Sequence, residues 1–259
     1  MYFGEQLNVS IGNVPLCLHI PEEELREKAR LRYAQFLEDV PGGLPVFTNR
    51  SEPNSEHASG ASANGQESAY TWQNAALRLS DAQVEFDGVR HEYGLDSLIR
   101  ILLSVLLTRQ RGFLLHAATV VNKGRAYIFA GRSGTGKSTV ASLSPKDSVL
   151  TDEISLLKFV DDAWHAFGTP FWGEFRAKGA NVHVPVAGVY FLSQASEDRV
   201  ESLSARESLR AMLPNVLFFS REHEMTESLL SLASEFLGSL PCYRLFFRKD
   251  CRFWKVIAP

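Results

Sequence analysis

A glycine-rich segment near the middle of the chain carries the strongest chemical signal. Residues 131–139 fit the pattern G-x-x-x-x-G-K-[ST] of phosphate-binding loops. Glycines in such a loop let successive backbone N–H groups turn toward phosphate oxygens, which a side chain would obstruct. The pattern predicts that Lys137 reaches the β- and γ-phosphates of a nucleotide and that the Ser138 hydroxyl ligates Mg²⁺. A glycine-rich turn without a ligand is the alternative. The predicted nucleotide-binding residues are Gly131, Arg132, Ser133, Gly134, Thr135, Gly136, Lys137, Ser138 and Thr139.

Two adjacent carboxylates, Asp152 and Glu153, follow the short apolar segment 148–151. One carboxylate can hold a metal ion while the other accepts the proton of an attacking hydroxyl. An acidic turn at the end of a strand is the alternative. The chain has no LSGGQ-like signature of ABC-type ATPases and no N/T-K-x-D motif of GTPases. The pattern therefore favours another class of nucleotide-binding protein.

The elements around the glycine-rich segment suit a strand–loop–helix unit. An apolar strand is predicted at 126–130, before the loop, and a helix at 138–143, after it. The N-terminus of that helix would point at the bound anion. A second β-rich run, 113–121, is joined to the first through the turn 122–124.

With these elements in place, the chain resembles the catalytic domain of HPr kinase/phosphorylase and its kinase-like relatives. His116, the loop and the Asp152-Glu153 pair occur in that family's order and spacing, and the resemblance covers roughly residues 111–258. It implies an α/β nucleotide-binding domain of the HPr kinase C-terminal and phosphoenolpyruvate-carboxykinase-like type. The amino-acid sequences of segments 114–118, 129–134 and 150–154 look more like those of the relatives than like that of HPr kinase/phosphorylase itself. Such relatives are often encoded near peptide-modification cassettes, and some act on serine hydroxyls of ribosomally made peptides.

The resemblance implies a role for each matching residue. Lys137 and Ser138 match the loop lysine and the metal-binding serine, and Asp152 matches the first acid of the family's Asp-Asp pair. Glu153 stands where the family has its catalytic aspartate, so a longer carboxylate side chain would act as the base. His116 resembles a histidine beside the phosphate site, with an ordinary core histidine as the alternative.

The segment 168–176 follows the acidic strand, as in the relatives. Thr169, Trp172 and Glu174 are candidate acceptor-site residues, and Arg176 or Lys178 would neutralise transferred charge. An ordinary turn with an aromatic core residue is the alternative. The family's phosphorylase signature E-[IL]-R-G-x-G has no convincing counterpart, so the reverse reaction is not predicted.

The function expected from the motifs and the resemblance is ATP- and Mg²⁺-dependent transfer of a γ-phosphoryl group. The expected acceptor is a hydroxyl, preferably of serine, on a small protein or peptide. Two alternatives stay open: a small-molecule kinase, and a non-catalytic ATP-binding chaperone or sensor in a peptide-maturation system. The resemblance to a family with a hexameric member also leaves homo-oligomer formation open.

Composition narrows the partners and the compartment. The 259 residues include 27 Lys and Arg against 30 Asp and Glu, a net charge of −3, which gives no global field for nucleic acid or an anionic membrane. Neither is expected as a partner. The three scattered cysteines suit reduced thiols, and the N-terminus lacks the pattern of a signal peptide, so a cytoplasmic protein is expected.

Two domains are expected: a small α+β domain at 1–110 with a flexible loop near 49–68, and the kinase-like domain at 111–259. In the first, residues 5–20 predict a hairpin. A helix is predicted from about Asp96; it carries the polar stripe Arg100, Ser104 and Thr108 on an otherwise apolar cylinder and should be buried on most sides. Predicted elements of the second domain include a buried strand at 184–192, a helix at 222–237 closed by Gly238, and a final hairpin of 243–247 with 253–257.

Overall fold

The computed structural model describes residues 5–39, 42–51, 60–61, 67–72, 75–80, 82–145, 148–173, 179–220 and 222–257. The chain divides into two compact units. The front unit comprises Met1–Leu106 and Phe218–Thr226, and the loop unit comprises Leu107–Leu217 and Glu227–Pro259. None of the helices in the described ranges is long and apolar enough to span a membrane.

The front unit contains a sheet of seven described strands in the order β1-β2-β3-β7-β6-β5-β4. Its strands are β1 (Gln6–Ile11), β2 (Val14–His19), β3 (Leu44–Thr48), β4 (Gly60–Ala61), β5 (Glu67–Trp72), β6 (Ala75–Ser80) and β7 (Val84–Asp87). Helix α1 (Glu23–Arg32) follows β2, and α2 (Glu92–Arg109) follows β7 and continues into the loop unit.

The structure confirms the N-terminal hairpin, because β1 and β2 pair antiparallel across a turn in which Gly12 and Asn13 have positive φ. Helix α2 begins at Glu92 rather than near Asp96. Most of its apolar residues are buried as predicted, although Leu106 is half-buried and Tyr93 is exposed, and Ser104 and Thr108 of the polar stripe are buried as well. Ser104 tolerates burial because its Oγ donates to the carbonyl of Ile101, 2.7 Å away.

The predicted loop at 49–68 is wrong where it meets the sheet. Residues 60–61 form β4, and 67–68 belong to β5, with which β4 pairs antiparallel. Backbone hydrogen bonds to a neighbouring strand suffice for such pairing even where large apolar side chains are lacking. The remaining parts of that prediction, 52–59 and 62–66, lie outside the described residues.

The loop unit is built on nine described strands. They are β8 (Gly112–Asn122), β9 (Arg125–Ala130), β10 (Val149–Thr151), β11 (Ile154–Val160), β12 (Ala163–Phe167), β13 (His183–Gln194), β14 (Arg199–Ser202), β15 (Val216–Leu217) and β16 (Cys242–Phe247). The helices are α3 (Lys137–Leu143), α4 (Ala205–Met212), α5 (His223–Ser239), whose first four residues belong to the front unit, and α6 (Trp254–Ile257).

Strand directions bring one set of strand ends together. Strands β9, β13 and β16 run parallel to one another, whereas β9 and β10 both pair antiparallel with β8 and therefore also share a direction. The carboxyl ends of β9, β10, β13 and β16 consequently lie at one edge of the sheet. Chain segments that leave this edge can meet at a common site.

An aromatic-rich core between α3 and the sheet supports this edge. Val140 and Ala141 of α3 are buried in a cluster with Phe129, Tyr190 and Phe247 from β9, β13 and β16. The interlocking rings fix the strands whose ends carry the polar residues.

The predicted C-terminal hairpin is wrong. Only its first half is a strand: β16 pairs parallel with β13, while Cys251–Phe253 is a 3-10 turn that leads into α6. Phe253 and Ile257 are both buried, and their i, i+4 spacing suits a helical face rather than a strand. Asp250 favours the helical start because its side chain accepts a hydrogen bond from the Arg252 N–H. Gly238, predicted to follow the helix at 222–237, lies inside α5 instead.

Candidate functional site

The glycine-rich segment joins β9 to α3, so the predicted strand, loop and helix occur in that order. Gly134 has a φ of +80° and Gly136 a φ of +115°, conformations that side-chain-bearing residues rarely adopt. A Cβ at Gly136 would also lie only 2.5 Å from the Phe247 ring. At this position both backbone conformation and space require glycine.

Lys137 folds back over the start of the loop. Its Nζ donates to the carbonyl oxygens of Gly131 and Arg132, at 2.7 and 3.3 Å, and the residue is only 7% exposed. Burial lowers the pKa of Lys137, and the negative charge of Glu153 opposes that shift. The two carbonyls are neutral groups, so the ammonium keeps a net charge close to the loop backbone. A phosphate oxygen in such partly desolvated surroundings would interact with it more strongly than in water.

Two further contacts hold the loop. Thr135 Oγ1 donates to the Arg132 carbonyl at 2.8 Å, and the Gln194 amide donates to the Gly134 carbonyl, also at 2.8 Å. Gln194 is the last residue of β13 and was not among the residues predicted from sequence. Only the three-dimensional fold brings it to the loop, and no local sequence signal marks it.

The two carboxylates lie in the turn between β10 and β11, at the same sheet edge as the loop. Asp152 is 3% exposed, and Glu153 is half-buried. Two hydroxyl groups fix the turn by donating to the carbonyl of Ile154: Thr151 Oγ1 at 3.0 Å and Thr169 Oγ1 at 2.8 Å. Thr169, a candidate acceptor-site residue, is fully buried, and its hydrogen bond to Ile154 supports the acidic turn.

Gly173 lies directly against the acidic pair. Its N–H donates to Asp152 Oδ1 at 3.1 Å. A Cβ there would lie 3.2 Å from the Cβ of Glu153 and 3.3 Å from Asp152 Oδ2. Sequence reasoning did not select Gly173, although a glycine between Trp172 and the predicted residue Glu174 is a signal for close backbone approach.

The other predicted residues fall into three groups. His116 is half-buried on β8 and pairs directly with Ile154, the residue after Glu153. Trp172 is half-buried next to Gly173. The remaining acceptor candidates lie outside the described residues: Glu174, Arg176 and Lys178.

The exposure of the loop suits an incoming ligand. Arg132, Ser133 and Gly134 are exposed, while Ser138 and Thr139 are half-buried. Within the described part of the chain, no group of three or more His, Cys, Asp or Glu residues is placed to hold a metal ion. The arrangement brings a glycine-rich loop, one buried lysine and a pair of carboxylates to the same edge of the sheet.

Taken together, the elements define a mixed α/β chain with two sheets and a glycine-rich strand-to-helix loop beside an acidic turn. A family model described as "SynChlorMet cassette protein ScmC" matches residues 92–258. Because this match covers more than half of the 259 residues, the chain belongs to the ScmC family of SynChlorMet cassette proteins. The matched range includes both the loop and the acidic turn. No curated protein matches the chain.

Proposed function

We propose that this chain is an ATP- and Mg²⁺-dependent kinase that transfers the γ-phosphoryl group to a serine hydroxyl of a small protein or peptide. In this proposal the loop unit is a nucleotide-binding domain of the HPr kinase C-terminal and phosphoenolpyruvate-carboxykinase-like type. One observation carries it. Lys137, which follows the last glycine of the loop, is buried at the same sheet edge as the acidic turn, and the charge of Glu153 acts on its pKa. A phosphate anchor and a proton acceptor would therefore share one site.

Nucleotide binding would rest on the loop 131–139. The backbone turns at Gly134 and Gly136 leave room for phosphate oxygens close to the main chain. Lys137 would exchange its contacts with the two loop carbonyls for contacts with the β- and γ-phosphates.

The donor chemistry at the site fits Mg²⁺. The ion prefers hard oxygen ligands and is usually held by one or two carboxylates together with substrate phosphates rather than by a cage of protein groups. Ser138 would supply a hydroxyl ligand and Asp152 a carboxylate ligand. The N–H of Gly173, which donates to Asp152 Oδ1, would orient that carboxylate. When bound, the ion would neutralise charge on the phosphates.

The transfer step needs little covalent chemistry from the protein. Glu153 would accept the proton of the acceptor hydroxyl as its oxygen bonds to the γ-phosphorus. The bond from that phosphorus to the β–γ bridging oxygen breaks, and ADP leaves. Lys137 would stabilise the charge that develops on the phosphoryl oxygens. Glutamate reaches one methylene further than aspartate, which places the acceptor slightly further from the acidic turn.

Family membership supports a peptide acceptor. The matching family model is described as a SynChlorMet cassette protein. The kinase-like relatives that the sequence resembles include enzymes acting on peptide serines. A peptide made by the same cassette would be a suitable substrate class.

The test is label transfer from γ-labelled ATP, with Mg²⁺, to a library of serine-containing peptides. Nucleotide affinity is measured in parallel with a fluorescent ATP analogue. Wild-type protein should label the library. Glu153→Gln should retain the analogue but lose about 10²- to 10⁴-fold in transfer rate, the usual contribution of a positioned base. Glu153→Asp, which restores the family's residue, should transfer label, and Lys137→Ala should lose both functions.

Three results would overturn the proposal. No transfer by the wild type, combined with unchanged analogue affinity in Lys137→Ala, would rule out both kinase activity and nucleotide binding at this loop. Analogue binding without transfer, unaltered by Glu153→Gln, would favour the chaperone or sensor. Labelling of small alcohols but not peptides would assign the same site to a small-molecule kinase.

A further inference from the structure

A cavity of about 440 Å³ adjoins the glycine-rich loop on the loop unit. Gly131 and Arg132 form its border with the loop, and Phe191 of β13 contributes an apolar surface. Helix α4 supplies Arg210, and β16 supplies Arg244. Three separate elements thus direct one arginine each to the same concave surface.

These three arginines differ from others in the loop unit. Within the described residues, the side chains of Arg132, Arg210 and Arg244 form neither a hydrogen bond nor an ion pair. Other arginines are engaged: Arg199 with Glu201 at 3.0 Å and Arg252 with Asp250 through Nε at 2.9 Å. The unpaired guanidinium groups converge on the cavity.

One carboxylate, Glu207, also lines the cavity, and it is already engaged. Its Oε2 accepts hydrogen bonds from the Ser204 N–H at 3.0 Å and the Ser204 hydroxyl at 2.6 Å in a capping box at the start of α4. These hydrogen bonds lower the pKa of Glu207, with a smaller contribution from the charge of Arg244. Three guanidinium groups against one capped carboxylate leave the cavity positively charged.

The position of Lys137 indicates which end of the phosphate site the cavity borders. The lysine of a phosphate-binding loop reaches the β- and γ-phosphates. Lys137 Nζ contacts the carbonyls of Gly131 and Arg132, and these same two residues line the cavity. The cavity therefore borders the end where the γ-phosphate and the acceptor hydroxyl would meet.

We propose that this cavity binds acidic side chains of the acceptor, next to the hydroxyl that receives the phosphoryl group. This inference rests on the proposed kinase function and narrows its substrate class to acidic peptides. Guanidinium groups bind carboxylates through paired, directional hydrogen bonds, and the apolar surface around Phe191 suits the peptide's aliphatic parts. The positive cavity would also steer an acidic peptide toward the loop.

The test is a binding measurement, so it does not depend on turnover. The probes are two fluorescent heptapeptides with a central serine: one carries three acidic residues on each side, and the other has the corresponding amides. With a non-hydrolysable ATP analogue and Mg²⁺ present, fluorescence anisotropy should show wild-type protein favouring the acidic peptide by roughly tenfold or more, as expected for several partly exposed ion pairs. The preference should weaken as salt is raised.

The double variant Arg210→Gln/Arg244→Gln should lose most of this preference while keeping its affinity for the amide peptide and the ATP analogue. Arg206→Gln is the matched control, because Arg206 lies one turn from Arg210 on α4 and does not line the cavity. It should behave as wild type.

Three results would overturn the inference. Equal affinity of the wild type for both peptides would remove the acidic preference. A double variant that loses analogue affinity instead would assign the cavity to the nucleoside, and an equal loss in Arg206→Gln would reduce the effect to general surface charge. Failure of the kinase proposal appears separately, as acidic-peptide binding without label transfer.

Discussion

The two units treat buried charge in different ways. In the front unit, Arg32 and Asp96 are 5% and 3% exposed and form an ion pair, with Arg32 Nε and the Tyr33 hydroxyl each 2.6 Å from an Asp96 oxygen. In the loop unit, Lys137 is nearly as buried but bonds to two neutral carbonyls. Removing one partner of a buried ion pair leaves the other charge uncompensated and destabilises the fold. The charge of Lys137, which hydrogen-bonds only to neutral groups and is only partly offset by Glu153, can still attract a ligand.

Breaking the front-unit pair should have the largest effect on stability. Asp96→Asn leaves the Arg32 guanidinium buried without its counter-charge, and we expect it to lower the free energy of unfolding by about 3–5 kcal/mol. Urea denaturation followed by circular dichroism measures this change. Glu24→Gln, which removes an exposed ion pair with Lys28, is the control and should unfold as wild type. ATP-analogue affinity of folded Asp96→Asn should be unchanged, and its loss would contradict the division of roles between the units.

For the buried Lys137 we expect the reverse: a large loss of nucleotide affinity with no loss of stability. Lys137→Met should lower ATP-analogue affinity by about 2–3 kcal/mol, roughly a hundredfold, because charged hydrogen bonds to phosphate are lost. The free energy of unfolding should be unchanged or higher, since burial of this ammonium is only partly compensated. Lys123→Met, in the exposed β8–β9 turn, is the control for general charge loss. A large loss of stability in Lys137→Met would make the lysine a structural residue.

A smaller effect is expected from the glycine that touches the aromatic core. Gly136→Ala places a Cβ 2.5 Å from the Phe247 ring at a φ of +115°, so we expect a loss of about 1–3 kcal/mol in stability together with weaker nucleotide binding. Gly134→Ala is a matched control, because Gly134 also has positive φ but a Cβ there would meet no atom within 4 Å. Equal effects of the two substitutions would show that backbone strain alone, without the ring contact, accounts for the loss.

The smallest effect should come from the side chain that ties β13 to the loop. Gln194→Ala removes the 2.8 Å hydrogen bond to the Gly134 carbonyl, an exposed contact worth about 0.5 kcal/mol. We expect a barely altered denaturation curve and a loss of about twofold in analogue affinity. Titration calorimetry measures this affinity, with Gln83→Ala in the front unit as the control. A tenfold or greater loss would make Gln194 a direct ligand of the nucleotide.

The features that were predicted well from sequence are those that depend on residues adjacent in the chain. The strand before the loop, the loop glycines and the N-terminal hairpin each depend on neighbours in the chain, so periodicity and turn residues indicate them. Contacts between distant segments carry no such local signal. The N–H of Gly173 on Asp152 and the amide of Gln194 on Gly134 exist only once the sheet is assembled.

The C-terminal hairpin was predicted wrongly for the same reason: contacts between distant segments decide the structure there. The alternating and aromatic residues of 253–257 suit a strand locally, but the 3-10 turn and α6 bury Phe253 and Ile257 in a core provided by β9, β13 and β16. Tertiary packing overrode the local preference. The arginine-lined cavity was equally invisible, because Arg132, Arg210 and Arg244 come from three distant segments.

The central claim is that the only partly compensated charge of Lys137 in the loop unit serves a nucleotide phosphate. Thermal unfolding with and without Mg²⁺ and a non-hydrolysable ATP analogue tests this claim most directly. A ligand that binds only the folded state at a hundred times its Kd adds about 2.7 kcal/mol of stability. We predict a clear rise in the Tm of wild-type protein and of Asp96→Asn. In Lys137→Met, whose Kd should be about a hundredfold higher, the same ligand concentration should add only about 0.4 kcal/mol and raise the Tm only slightly. An unchanged Tm in the wild type, or an equal rise in Lys137→Met, would contradict the account.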